Sequence, residues 1–108
     1  MEINESRKGT IVVLALKGSL DVVTSPELEK KLIGLIDAGS RDVIFDLSHL
    51  DYVSSAGLRV FMLAIKRLAK EGKVRFCGLN KSVKQVFDIA GMSLRTTICD
   101  TLDDALKV

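Results

Sequence analysis

The sequence predicts a single α/β domain, with a four- or five-stranded mixed, mostly parallel sheet and helices chiefly on one face. Three observations predict it. Short apolar runs alternate with longer segments of helical period, in the order β-β-α-β-α-β-α-(β)-α. Strands that alternate with helices of this length imply right-handed crossovers and parallel neighbours. At 108 residues the chain is long enough for one modest core and shows no linker, repeat or low-complexity segment, so residues 1–108 are expected to be one domain.

The elements follow in order. Glu2 to Ser6 is a short edge strand, and Ile11 to Leu16 is a strong strand closed by Lys17-Gly18. Thr24 with Glu27 fits a capping box, and Pro26 sits in the first helical turn, where its missing N–H costs nothing. Leu28, Leu32, Leu35 and Ile36 then recur at helical spacing up to Gly39, a C-terminal stop. Val43 to Leu47 is a buried strand. Gly57 to Glu71 is a helix ending at Gly72, with Leu58, Phe61, Met62, Ile65 and Leu68 as its core stripe and Val60, Leu63 and Ala64 partly outside it. Val74 to Cys77 is a strand. Ser82 opens a third helix carrying Val83, Val86, Phe87 and Ala90 and stopped by Gly91. Thr96 to Cys99 forms a last short strand, and Asp100-Thr101 caps a final helical turn.

Composition removes several function classes. The hydrophobic fraction of 47% and charged fraction of 28% are those of a globular chain, and a formal charge of +2 with scattered basic residues gives no footprint for nucleic acid or membrane. Trp is absent, so bases would find no stacking platform. The N-terminal residues show no basic-then-apolar leader pattern, and Cys77 and Cys99 have neither metal-site nor disulfide spacing. Both read as small buried hydrophobes, and the expected location is the reducing cytoplasm. No cofactor or metal is expected.

The candidate site is Asp51-Tyr52-Val53-Ser54-Ser55-Ala56-Gly57-Leu58, where a strand gives way to a helix. Backbone N–H groups in the first helical turn are unpaired and carry partial positive charge. A serine there can cap the helix, bind an anion or accept a phosphoryl group. His49 and Asp51 complete the letters of a hydrolytic triad, but residues within one short turn have no second element to orient the imidazole. The turn also lacks the Gly-x-x-x-x-Gly-Lys and dinucleotide fingerprints of a nucleotide cradle. Asp21 reads either as a polar contact beside this turn or as a turn-forming residue. The helix after the serines is apolar on more than one side, which fits burial between neighbours or an exposed patch for a partner.

Taken together, these residues resemble a STAS domain, and more narrowly the bacterial anti-sigma factor antagonists. The resemblance rests on Gly18-Ser19-Leu20-Asp21 with Thr24-Ser25-Pro26-Glu27-Leu28, on Val43 to Leu47 with Tyr52 to Leu58, and on Leu79-Asn80 through Val86-Phe87 to Gly91-Met92. It implies a partner-switching regulator in transcription control, not an enzyme. In such proteins the unphosphorylated form binds an anti-sigma factor with serine kinase activity. Phosphorylation releases it, and a metal-dependent serine phosphatase removes the mark. By this resemblance the phosphoacceptor is Ser55, and Asp21, Ser54, Ala56, Gly57 and Leu58 contact the partner. Ser54 stands where well-studied members carry Asp, which makes it a second candidate acceptor. The alternatives are a STAS-type switch with a non-sigma output and a small hydrolase. The expected oligomeric state is a monomer or weak dimer.

Overall fold

A computed structural model describes residues 1–108. The sheet has five strands in sequential order: β1 (Glu2–Lys8), β2 (Ile11–Leu20), β3 (Asp42–Val53), β4 (Lys73–Cys77) and β5 (Thr97–Cys99). β1 and β2 form an antiparallel hairpin, and every later pairing is parallel. Between the strands lie α1 (Ser25–Asp37), α2 (Ser55–Leu68) and α3 (Lys81–Ile89), with α4 (Leu102–Leu106) at the end.

Alternate strand residues separate the two faces of the sheet. Val12, Leu14, Leu16, Val43, Phe45, Leu47 and Phe76 point into the main core, where α1, α2 and α3 cover them. Phe45, Phe61, Phe76 and Phe87 form its centre, their neighbouring rings 5.0 to 5.7 Å apart and mostly edge to face. Val13, Ile44 and Cys77 point to the opposite face, where α4 places Ala105 against them. Burial, helped by the Asp46 carboxylate, pushes the Cys77 thiol up to about 12, so it stays a protonated apolar side chain. On that same face Arg75 is buried. It donates to the Ala105 and Val108 carbonyls and pairs with Asp42, which fastens α4 to the sheet.

Both central strands run further than their hydrophobic pattern. β2 passes through Lys17-Gly18 to the fully buried Leu20, and β3 continues from Leu47 to Val53. Register shifts between Ala15 and Lys17 and between Gly18 and Ser19 break strict alternation while pairing continues to Leu20 opposite Val53. The Thr24–Glu27 capping box does not form. Thr24 has helical backbone angles, and its hydroxyl donates to the Ser19 carbonyl instead. In α2, Val60 and Ala64 lie inside the core, and Met62 and Ile65 are only partly buried. That helix stops at Leu68, short of the expected Glu71, and the Gly72 amide bonds back to the Leu68 carbonyl.

Candidate functional site

Because β2 and β3 are parallel neighbours and end opposite each other, the turns that follow them lie at one edge of the sheet. Ligand sites of α/β sheets concentrate outside such carboxyl ends. The Ser54 amide donates to the Leu20 carbonyl over 2.9 Å and locks the two turns together.

The first turn is organised by Asp21. Its Oδ1 accepts from the amides of Val23 at 2.9 Å and Thr24 at 3.0 Å, and from the Thr24 hydroxyl at 3.2 Å. These bonds favour the ionised form and hold the carboxyl below its ordinary value, the Thr24 amide contributing most. Asp21 is therefore the turn-forming residue of the two readings, and its Oδ2 has no partner within the chain. The turn leaves Val22 and Val23 at 74% and 81% exposure. Sequence reasoning missed this apolar pair. Its signal was two adjacent valines between a strand end and a helix start, where neither period would bury them.

The second turn separates the roles of the two serines. Ser54 has extended backbone angles and is the N-cap of α2: its Oγ accepts from the Gly57 amide at 3.3 Å and its carbonyl from the Leu58 amide at 2.9 Å. Ser55 is the first helical residue. It is exposed, and its hydroxyl makes no hydrogen bond within the chain, so the capping role open to Ser55 in sequence belongs to Ser54. A cap must leave the helical backbone while its oxygen reaches forward to the third helical amide, and only Ser54 stands there. The Ser55 and Ala56 amides have no carbonyl four residues back inside the helix, and the first turn of α2 holds no acidic residue. This hydroxyl thus stands at a positive helix end whose own first turn carries no acid.

The remaining expected contact residues divide. Ala56 is half-buried on the rim of a groove between α1 and α2, beside Val22, Pro26, Arg59 and Val60. Gly57 and Leu58 are largely buried, Leu58 keeping 9% of its surface exposed, so both face the core more than the solvent. Gly57 instead sets how closely α2 approaches the sheet: a Cβ there would lie 2.7 Å from Leu20 Cγ and 2.9 Å from Val53 Cγ2. Arg59, one helical turn after Ser55, was a second omission, legible only once Ser55 is placed on the helix.

His49 and Asp51 are exposed on β3, and no hydrogen bond joins either to Ser54 or Ser55, so the triad letters do not assemble. No three His, Cys, Asp or Glu side chains come together to hold a metal ion, and no helix is long and apolar enough to cross a membrane. The edge has the chemistry of a docking surface: one free hydroxyl, one uncommitted carboxylate oxygen, two exposed valines and a positive helix end.

Comparison with known proteins gives concordant matches. The STAS domain family model matches residues 2–105. BtrV of Bordetella bronchiseptica, provisionally named an anti-sigma factor antagonist, is 36% identical over 92 residues, covering 84% of this chain and 79% of BtrV. The anti-sigma-B factor antagonist of Staphylococcus epidermidis is 36% identical over 76 residues, covering 69% of this chain and 70% of that protein. Among solved structures, an anti-sigma factor antagonist from Mycobacterium paratuberculosis matches with TM-score 0.92 at 23% identity, covering 98% of this chain and 91% of that one. The Bacillus cell fate determinant SpoIIAA in its phosphorylated form matches with TM-score 0.78 at 19% identity, covering 98% and 97%. The two structural matches establish a shared fold.

Proposed function

This chain belongs to the STAS domain family, and on that premise we propose that it is a partner-switching regulator set by the state of Ser55. It is an anti-sigma factor antagonist, a regulatory role carried by its 36% identity to proteins so named. Its partner is an anti-sigma factor, which docks on the edge formed by the turns after β2 and β3. Ser54, Asp21 and Ala56 flank the contact, and Val22 and Val23 add apolar surface.

The observation that carries the switch is the position of Ser55: exposed, without a hydrogen bond of its own, and first residue of a helix with no acid in its opening turn. Such a hydroxyl is open to a kinase. The helix end tolerates the roughly −1.5 to −2 charges of a phosphate, so the domain stays folded when modified. The loss occurs at the interface, where the phosphate must be desolvated against a surface shaped for a neutral hydroxyl. A penalty of about 3–4 kcal/mol weakens binding by two to three decades. In this reading the anti-sigma factor is itself the serine kinase, and a metal-dependent serine phosphatase restores the binding form. The protein itself catalyses nothing and works in the cytoplasm.

Two measurements test this. Phosphopeptide mapping after incubation with the anti-sigma factor and ATP should place the mark on Ser55; a dominant mark on Ser54 would move the acceptor to the cap. Calorimetric titration should find the unmodified protein tighter than the phosphorylated one, and equal affinities with both forms folded would remove the switch from this turn.

A further inference from the structure

We propose that Arg59 reads the state of Ser55, offering its charge to a carboxylate of the partner when Ser55 is a free hydroxyl and turning back onto the phosphate when Ser55 is modified. The proposal rests on Ser55 being the phosphoacceptor. Arg59 lies four residues after Ser55 on α2, and residues so spaced share one helix face with Cβ atoms about 5–6 Å apart. Both are exposed. None of the ion pairs in the molecule includes Arg59, and no hydrogen bond engages its guanidinium. It is a free cation within side-chain reach of a free hydroxyl.

The surroundings leave it that charge. Arg59 stands between two grooves. On one side α1 contributes Glu29 and Lys30, and Glu29 forms no ion pair with Arg59. On the other lie Lys66 of α2 and Arg95, with the apolar side chains of Met62, Leu63 and Ile65 between. Asp21 holds its own turn through Oδ1 and forms no ion pair with Arg59. Unmodified, this stretch of surface is cationic with an apolar floor, and the group that complements it is an acidic side chain beside apolar ones.

A phosphate on Ser55 supplies that anion from within the chain. Guanidinium N–H groups fork onto two phosphate oxygens, a charge-assisted geometry that a lysine cannot reproduce. Phosphorylation then acts twice on the interface: it adds negative charge at the helix start and withdraws the cation one turn below. A carboxylate that met Arg59 would now face a phosphate.

The test uses the full chain with phosphoserine installed at position 55 during translation, so that neither kinase nor partner is needed. Phosphorus NMR follows the second ionisation of the phosphate in the wild type, Arg59→Gln and Arg59→Lys. Pairing favours the dianion, so the wild-type midpoint should lie about 0.5 pH unit below that of Arg59→Gln, with Arg59→Lys between them. Coincident midpoints for wild type and Arg59→Gln would overturn the pairing. Titration of unmodified Arg59→Gln against the anti-sigma factor should show about tenfold weaker binding and a smaller further loss on phosphorylation. Unchanged affinity would overturn the carboxylate contact. A kinase mark elsewhere than Ser55 would defeat the functional reading, and the NMR comparison would report on the Arg59 pair separately.

Discussion

The two sides of α2 are built from the same fourteen residues and do opposite work. The inner side, Gly57, Leu58, Val60, Phe61, Ala64 and Leu68, is buried against the sheet and neighbouring helices. The outer side carries Ser55, Arg59 and Lys66 in solvent, with Met62 and Leu63 only partly covered. Ser54 stands at the junction, its oxygen held by the Gly57 amide. The difference teaches that the site is displayed by the core but adds little to it. Inner substitutions should act chiefly on stability, and those at the solvent-exposed outer residues chiefly on binding.

The sharpest contrast lies along α2 itself. Phe61 is fully buried and meets three other phenylalanine rings, so Phe61→Ala should cost about 3–5 kcal/mol in denaturant titration through lost contacts and a cavity. Ile65→Ala, one turn on but partly exposed, should cost less than about 2 kcal/mol. Similar midpoints for the two variants would break the division between sides.

Gly57→Ala probes the junction from below. The added methyl meets the Leu20 and Val53 side chains at distances real side chains do not adopt, so those side chains or the start of α2 must move. We expect a loss of about 1–3 kcal/mol. Because Ser55 rides on the same turn, affinity for the anti-sigma factor should fall as well. Stability lost at unchanged affinity would show that the site does not depend on the placement of the helix start.

The paired serines give a finer test. Ser54→Ala removes the cap and should cost about 1 kcal/mol. Ser55→Ala removes a hydroxyl with no partner in the chain, should stay within about 0.5 kcal/mol of the wild type, and should bind constitutively. The reverse ranking by thermal melts would exchange the roles of the two residues.

The smallest effect concerns acid. The folded carboxyl of Asp21 lies below its ordinary value of 3.8, so its bonds to the turn stabilise the fold above that pH and are lost as pH falls through the lowered value. Asp21→Asn should therefore lower stability slightly at neutral pH, where the ionised carboxylate contributes, and flatten the acid limb below 3.8, the two proteins converging in acid. An identical acid limb would mean that the turn does not depend on the ionised carboxylate.

Much of this fold was legible in the chain. The order of strands and helices, the buried faces of α1 and α3, the Gly91 stop and the Thr101 cap of α4 all follow from local period and local hydrogen-bonding chemistry. The serine pair was legible as the place where a strand gives way to a helix. Its internal division was not. Which serine caps depends on the last extended residue, and that depends on how far β3 pairs with β2. The sequence showed period only to Leu47, whereas pairing across the register shifts carries the strand to Val53.

By itself, then, the sequence determined the class of fold and the turn where the serine pair sits, because periodicity and turn chemistry are short-range properties written in consecutive residues, and its motifs carried the resemblance to the family. The tertiary structure alone decided that Gly57 lies beneath Leu20 and Val53, that Arg75 is buried under α4, that Val22 and Val23 stand in solvent with Val22 on the groove of Ala56 and Arg59, and that Arg59 is left without an ion-pair partner. Each of those depends on which distant residues arrive at the same point, and burial and charge pairing are set by neighbours in space rather than along the chain.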